Sequence, residues 1–282
     1  MVEEAIKKAD ILIEALSYIK KFRGSVTVIK YGGSMLEDSV LRSKILDDIV
    51  FMNYVGLRPV IVHGAGPSIT RSLEEEGIGT KFIDGFRFTD EATLKIVIQQ
   101  TDAMNSILVN ELIQKDAEAE GINSKKIIVE ASKVKEELGL VGEPKELDVE
   151  FIETALSKGK IPVVSPLGKD VQGNFYNINA DLMATFVAKK LEAEKLVLLT
   201  DVAGILRVTQ DLSSLISTLS IKETEELITS GVVTGGMLPK LQASVGALKA
   251  GVNKVHIIDT RILHGLLLEI FTDKGIGTQI IH

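Results

Sequence analysis

The sequence contains no cysteine and no tryptophan. It also has no unbroken apolar run of about 18 residues, the length that indicates a membrane-spanning helix. The lack of cysteine excludes disulfide bonds and thiolate metal sites. Residues 1–4 have the sequence MVEE and lack the basic, apolar pattern of a signal peptide. We therefore expect a protein of the cytoplasm, or of an organelle stroma, that makes no membrane contact.

An excess of basic residues is also missing. The chain has 32 lysines and arginines against 39 aspartates and glutamates, a formal net charge of −7. Nucleic-acid binding requires a basic face, so this balance argues against such a partner. It leaves room for one small anionic substrate in a locally basic cleft. Hydrophobic residues make up 45% of 282 positions, enough for a sizeable core in one large domain or two lobes.

Apolar runs alternate with helical patterns along the chain. The pattern predicts strands at 26–30, 59–62, 127–129, 161–164, 196–199, 255–258 and 278–281. It predicts helices at 5–20, 38–55, 90–120, 179–192, 222–229, 238–250 and 262–271. This alternation predicts the α/β class, with a largely parallel sheet that helices cover on both faces.

Lys30 stands at the carboxyl end of the first predicted strand, and Gly32 and Gly33 follow it. Open α/β sheets bind ligands outside the carboxyl ends of their strands. Backbone without side chains lets amide N–H groups approach an anion closely, and the ammonium group adds positive charge. The segment favours a bound phosphate. The alternative is a tight turn with a solvated lysine.

A second glycine turn, HGAGP at 63–67, leads from a predicted strand into a helix. Helix N-termini after such turns favour anions. The alternative is a tight connection in which His63 is satisfied by backbone. The turn also matches part of a dinucleotide fingerprint, with Ile69 at the third glycine position and Asp84 further on. A nicotinamide nucleotide site is therefore a further alternative.

Polar side chains beside later elements could complete such a site. Arg87 follows a glycine turn, and its planar guanidinium group suits a carboxylate. Asn177, Asn179 and Asp181 are spaced two residues apart, with Asn179 as the predicted N-cap of a helix. Lys240 lies in the first turn of another helix, where a cation opposes the helix dipole. We expect an anion near it.

Several motifs in one order resemble the amino acid kinase family, most closely its members that phosphorylate N-acetylglutamate. They are KYGGS, PVIVHGAGP, RFTD, YNINAD, KLVLLTDVAGIL, GGMLPK and LLLEIFTDKGIGT. The resemblance covers nearly the whole chain and implies an open αβα sandwich. It further implies an N-terminal helix for oligomerisation and regulation (1–24), a lobe for the acyl amino acid and for dimerisation (25–175), and an ATP lobe (176–282).

The resemblance implies a role for each matching residue. Lys30 and Lys240 would stabilise the transferring phosphoryl group, and Asp181 would organise both lysines. The residues implied to contact the acyl amino acid and the γ-phosphate are Gly32, Gly33, Gly64, Ala65, Gly66, Arg87, Asn177 and Asn179. Those implied to contact ATP are Asp201, Gly204, Leu206, Thr234 and Gly235. We expect Mg²⁺ to be held mainly by phosphates, without a set of protein ligands.

The implied reaction is ATP-dependent phosphorylation of the side-chain carboxylate of N-acetyl-L-glutamate, a step of arginine biosynthesis. Such a carboxylate has a pKa of about 4 and is ionised at pH 7, so no general base is needed. Phosphoryl transfer instead requires positioning and positive charge.

The family members with an extra N-terminal helix are hexamers inhibited by arginine, and this chain has such a helix. The residues that match their arginine pocket are Tyr18, Lys195, His256, Glu269 and Gly277. We therefore expect a hexamer, with a dimer as the minimum, and inhibition by arginine. The alternative is that the helix folds back on its own subunit.

Three departures from the family fall mainly in the substrate lobe. Ala65 and Thr260 replace glycines, and the segment 100–126 is altered. If position 65 needs a positive φ, alanine costs roughly 1–2 kcal/mol there. Two alternatives follow: a related kinase that uses another acylated or free amino acid, and a regulatory relative that has lost turnover.

Overall fold

The structure is a computed structural model that describes residues 2–208, 211–231, 233, 237–272 and 275–282. Its α-helices are α1 (Val2–Phe22), α2 (Ser39–Tyr54), α3 (Gly66–Glu75), α4 (Glu91–Gln114), α5 (Val149–Ser157), α6 (Ala180–Lys190), α7 (Ile221–Thr229), α8 (Met237–Lys249) and α9 (Gly265–Ile270). The first seven strands are β1 (Val26–Tyr31), β2 (Arg58–His63), β3 (Phe82–Ile83), β4 (Phe86–Arg87), β5 (Ala119–Ile122), β6 (Val129–Lys133) and β7 (Val141–Leu147). The others are β8 (Ile161–Val164), β9 (Leu167–Lys169), β10 (Phe175–Ile178), β11 (Lys195–Thr200), β12 (Thr218–Ser220), β13 (Lys254–Asp259) and β14 (Thr278–Ile281).

One eight-stranded sheet runs through the molecule, in the order β12-β14-β13-β11-β1-β2-β8-β5. Its neighbouring strands are parallel except for β13 and β14, which pair antiparallel. The predicted α/β class with a largely parallel sheet is confirmed.

The two faces of this sheet carry two separate hydrophobic cores. Alternate side chains of each strand point to opposite faces. Val28 therefore belongs to a core with α5, α6 and α8, and its neighbour Ile29 belongs to a core with α2, α3, α4 and α9. Both strand residues are fully buried. Burial on both faces explains why the central strands have continuous apolar sequences rather than alternating ones.

A small closed barrel of β6, β7, β9 and β10 packs on the first of these cores. Its last strand, β10, ends at Ile178, and Asn179 then caps α6 by accepting hydrogen bonds from the N–H groups of Asp181 and Leu182. The barrel therefore determines where α6 begins, and with it where Asp181 lies.

Two expectations about the region 90–129 are wrong. Helix α4 ends at Gln114 rather than continuing to 120, because the chain turns at Asp116, where φ is 60°. Residues 119–122 then form β5 at the sheet edge. The strand predicted at 127–129 begins only at Val129; Ile127 and Ile128 instead pack as partly buried residues against the two cores.

Helix α1 packs against the body of the subunit only near its C-terminal end. Phe22 is buried, and Tyr18 and Ile19 pack beside it. Ile11 and Ile13, by contrast, are 64% and 69% exposed. Most of the helix therefore does not fold back on its own subunit. In the described part of the chain, no helix is long and apolar enough to cross a membrane.

Candidate active site

The carboxyl ends of β1, β2, β8 and β11 meet at one edge of the parallel sheet. A cleft of about 690 Å³ opens there. Of the residues predicted to form the site, nine line it: Lys30, Gly32, Gly33, Gly64, Ala65, Gly66, Arg87, Asn177 and Asn179. The topology thus brings together residues that are far apart in sequence, as expected for this class of sheet.

Asp181 joins two lysines that come from different elements. Its Oδ1 lies 3.0 Å from the Nζ of Lys30 on β1, and its Oδ2 accepts a hydrogen bond of 3.0 Å from the Nζ of Lys240 on α8. The side chains of Lys30, Asp181 and Lys240 are 11%, 16% and 17% exposed, respectively. The arrangement leaves one net positive charge in a poorly hydrated place, which suits a phosphoryl group.

The pKa values of this group reflect both burial and mutual charge. Burial lowers the pKa of Lys30, Asp181 opposes that effect, and the neighbouring charge of Lys240 adds to it. Burial also opposes ionisation of Asp181, but Lys30 and Lys240 outweigh it and keep the pKa of this carboxyl below its usual value. Asp181 is therefore ionised at neutral pH.

The first glycine turn is shaped around Lys30. A Cβ atom on Gly32 would lie 3.1 Å from Lys30 Nζ, so a side chain there would crowd the ammonium group. Gly33 has a φ of 84°, a conformation that favours glycine. The close approach at Gly32 and the positive φ at Gly33 both favour glycine. This local geometry agrees with the predicted anion site.

The residues of the second turn make several contacts within the subunit. The N–H of Gly64 donates to the carbonyl oxygen of Tyr31 at 2.9 Å and is therefore used within the subunit, while anion binding by the turn as a whole stays a prediction. Ala65 has a φ of −148°, which any residue adopts, so the alanine causes no strain of the kind considered above. His63 is fully buried, with its Nδ1 3.2 Å from the backbone oxygen of Gly64 and its Nε2 near the side chains of Ser165 and Asn105.

Arg87 is buried in the wall of the cleft. It donates hydrogen bonds to Thr70 Oγ1 at 2.7 Å and Gly66 O at 3.2 Å, and its guanidinium group lies over the ring of Phe82. Burial lowers its pKa. Within the described residues it forms no ion pair, so its charge is available for an anionic ligand.

The residues predicted to bind ATP are only partly described. Thr234 and Gly235 lie outside the described residues. Asp201 follows β11 at the same sheet edge, and its charge acts on Lys30. Gly204 has a φ of 129° and packs on Thr278, where a Cβ atom would lie 2.7 Å from Oγ1. Leu206 forms a bridge with Leu215. The described chain holds no group of three or more acidic or histidine side chains that could bind a metal.

Two threonines of the site were missed from the sequence. Thr70 contacts Arg87, and Thr89 contacts Asn177 through a hydrogen bond of 3.0 Å. Threonine is common in buried positions of any kind, so the residue type alone does not indicate that either threonine contacts the site. Thr260, one of the departures, is accommodated: its hydroxyl donates to Thr200 O at 3.0 Å.

The residues predicted for the arginine pocket lie away from the cleft, where β11, β13 and α9 meet the end of α1. His256 Nδ1 lies 2.8 Å from Glu269 Oε1, and Glu269 Oε2 accepts the N–H groups of Ile276 and Gly277. Lys195 Nζ lies 4.1 Å above the ring centre of Phe22.

Burial dominates the electrostatics of this second cluster. It lowers the pKa of Lys195 to about 8, with Lys254 adding to the effect. It also lowers the pKa of His256, against the opposing influence of Glu269. Tyr18 packs beside Phe22 on α1. Glu269 thus contacts both His256 and Gly277, and both of its oxygens already have partners within the subunit.

Comparison with known proteins identifies the family. A model of the amino acid kinase family matches residues 25–259. The chain belongs to the amino acid kinase family. An acetylglutamate kinase of Thermoanaerobacter sp. (strain X514) is 46% identical over 281 residues, which cover 98% of this chain and 94% of that protein. The family resemblance of the motifs is confirmed.

Solved structures of the N-acetylglutamate synthase from Neisseria gonorrhoeae are also similar. Its complex with coenzyme A and N-acetyl-glutamate has a TM-score of 0.88 and 28% identity, covering 97% of this chain and 63% of that chain. Its complex with coenzyme A and L-arginine has a TM-score of 0.82 and 26% identity, with coverages of 97% and 65%. The amino acid kinase fold thus spans less than two thirds of that synthase.

The contacts of Asp181 with Lys30 and Lys240 lead to a prediction about the free energy of unfolding and about the effect of phosphate on Tm. In Asp181→Asn the two ammonium groups lose their common partner, which we expect to lower the free energy of unfolding by roughly 3–5 kcal/mol. Inorganic phosphate should then raise Tm more in the variant than in the wild type, because it replaces the missing negative charge. Thermal melts with and without phosphate test this.

The matched control is Asp116→Asn, an exposed position that loses the same charge. It should leave Tm and the response to phosphate close to those of the wild type. If Asp181→Asn behaves like this control, Asp181 does not hold the two lysines together.

Proposed function

We propose that this protein phosphorylates the side-chain carboxylate of N-acetyl-L-glutamate with ATP, giving N-acetylglutamyl 5-phosphate in arginine biosynthesis. The observation that carries the proposal is the Lys30–Asp181–Lys240 group at the same sheet edge as Arg87, which is buried and forms no ion pair with the described residues. The match to an acetylglutamate kinase over nearly the whole of both chains supports the acceptor.

Each residue of the candidate site has its own role in the proposed reaction. Arg87 and Asn177 hold the α-carboxylate and the acetamido group, so that the side-chain carboxylate of the substrate points towards Lys30. The N–H groups of Gly32 and Gly33 and the two ammonium groups stabilise the charge that develops on the transferring phosphoryl group. Asp181 keeps both lysines in place. The attacking carboxylate is already ionised, so no residue needs to remove a proton.

ATP binds on the side of the cleft formed by the second lobe. We assign Asp201, Gly204, Leu206, Thr234 and Gly235 to the nucleotide, and the lobes 25–175 and 176–282 to the acyl amino acid and ATP respectively. Mg²⁺, which neutralises phosphate charge, is held mainly by the phosphates and water.

The alternatives are a kinase for another acylated or free amino acid and a relative without turnover. Ala65 and Thr260, which first suggested them, fit the structure without strain. Trapping of the acyl phosphate with hydroxylamine, using N-acetylglutamate, glutamate, aspartate and N-acetyl-aminoadipate in turn, tests all three. Hydroxamate with N-acetylglutamate as the best acceptor supports the proposal, and another best acceptor or none contradicts it.

The two lysines provide the first kinetic prediction. Lys30→Ala and Lys240→Ala should each lower kcat roughly 100- to 1,000-fold, the effect of removing one donor to a developing negative charge. Both KM values should change far less. Lys189→Ala, an exposed lysine of α6, is the control and should keep wild-type kinetics. A near-normal kcat in either variant would remove that lysine from the mechanism.

Arg87 provides the second kinetic prediction. Arg87→Lys keeps the charge but loses the planar fork, so the KM for N-acetylglutamate should rise at least about tenfold, while the KM for ATP changes little. Arg71→Lys is the matched control, because Arg71 lines the same cleft but pairs with Glu37. An equal rise in both KM values for Arg87→Lys would place Arg87 outside the acceptor site.

We also propose regulation by arginine in a hexamer that α1 joins together, with the cluster of Tyr18, Lys195, His256, Glu269 and Gly277 as the arginine site. The exposed apolar face of α1 supports an intersubunit role. The cluster lies at the base of the same helix, where Lys195 meets Phe22. Because Glu269 has partners in this structure, arginine must compete with His256 for its carboxylate.

The regulatory proposal predicts that the full-length protein sediments as a hexamer and that added arginine lowers its rate. Deletion of residues 1–22 should give dimers and abolish the inhibition. Glu269→Gln should weaken inhibition without dissociating the hexamer, since it removes only the charge that pairs with a guanidinium group. A dimeric full-length protein contradicts the assembly, and a rate insensitive to arginine contradicts the site.

A further inference from the structure

Thr89 lies directly behind two residues of the cleft wall and is fully buried. Its hydroxyl group contacts the carbonyl oxygen of Arg87 at 2.8 Å and the Nδ2 atom of Asn177 at 3.0 Å. Both of these residues line the cleft. Thr89 thus connects the two side chains that are proposed to hold the acylated amino acid.

The chemistry of these three groups permits only one arrangement of protons. A threonine hydroxyl has one proton to donate, and a backbone carbonyl oxygen can only accept. The proton of Thr89 therefore goes to Arg87 O, which leaves Thr89 Oγ1 as an acceptor for Asn177. It follows that the amide nitrogen of Asn177 faces Thr89, and the reversed amide would bring two acceptors together.

We infer that Thr89 is a positioning residue that fixes the side-chain amide of Asn177 and thereby favours N-acylated over free amino acids. The fixed amide keeps its Oδ1 acceptor and its second N–H for a ligand. An N-acyl group offers a matching donor and acceptor, whereas a free α-ammonium group offers donors alone. The inference rests on the proposed function and adds the origin of its selectivity.

The backbone around Thr89 makes this arrangement rigid. Its N–H donates to Leu138 O at 3.1 Å, and its carbonyl oxygen accepts from Leu140 N at 2.6 Å. A Cβ atom on Gly139 would lie 2.3 Å from Thr89 O, so only glycine allows this close approach. Asn177 N donates to Leu140 O at 3.0 Å. Thr89 and Asn177 are thus fastened to the same short segment, and neither can move away from the other.

The test compares Thr89→Val, which replaces the hydroxyl by a methyl group of similar shape, with Thr89→Ser, which retains the hydroxyl. In the valine variant we expect the KM for N-acetylglutamate to rise about tenfold, with the KM for ATP within about twofold of wild type. The ratio of kcat/KM for N-acetylglutamate to that for glutamate should fall about tenfold. The serine variant should restore wild-type values.

A double-mutant cycle separates positioning from a merely structural role. In an Asn177→Ala background, Thr89→Val should change the KM for N-acetylglutamate by less than about twofold, since the residue through which it acts is gone. A further tenfold rise in that background would overturn the inference. So would a valine variant with unchanged selectivity, or one in which both KM values rise equally. If the valine variant is not recovered folded, Thr89→Ala removes the same hydroxyl and takes its place.

The same assays keep the two proposals apart. A wild-type protein that forms no acyl phosphate from N-acetylglutamate would overturn the proposed function and this inference with it. An active wild type with an unaffected valine variant would overturn the inference alone.

Discussion

The candidate active site depends on one carboxylate that holds two lysines in a poorly hydrated place. Two ammonium groups that share one carboxylate repel each other, so they would not share such a place unaided. Asp181 contacts both lysines at 3.0 Å and stays ionised because of them. The site is therefore assembled before any anion binds, and in the proposed reaction the net positive charge left over faces the phosphoryl group. For these contacts to form, β1 has to end beside Lys30, α6 has to begin beside Asp181, and α8 has to begin beside Lys240.

Much of the candidate cleft could be located from the sequence because its residues lie beside clear strand and helix patterns. The central strands are apolar on both faces, and their carboxyl ends are marked by glycines and by Lys30. Asn179 fits a helix cap on type alone, and the cap then places Asp181. The barrel strands were harder to predict, because they are short and partly polar, as in β9 and β10. Strand β5 has the sequence AEGI and lies beyond a turn with positive φ at Asp116, which no local pattern reveals.

Other properties of the site depend on contacts rather than on residue type. The cost of Ala65 depended on one dihedral angle, and the value of −148° removes it. Gly64 carries the glycine signature of an anion-binding turn, yet its amide is used by Tyr31. Glu269 matches a residue of the family's arginine pocket, and here its Oε1 lies 2.8 Å from His256 Nδ1. A sequence gives the groups that are present, but their hydrogen-bond partners follow only from the packed arrangement.

The pairing of β1 with β11 has a mechanical consequence. These strands belong to the two proposed lobes, and they are joined in register from Thr27 beside Lys195 to Lys30 beside Leu198. A sheet that continues from one lobe to the other provides no free hinge at this junction. Any rotation of one lobe against the other has to be taken up as added twist between β1 and β11, or else break their hydrogen bonds. If each lobe holds one substrate, as proposed, the stiffness of this sheet governs the distance between the two substrates, and Lys30, at the end of β1, moves with that twist.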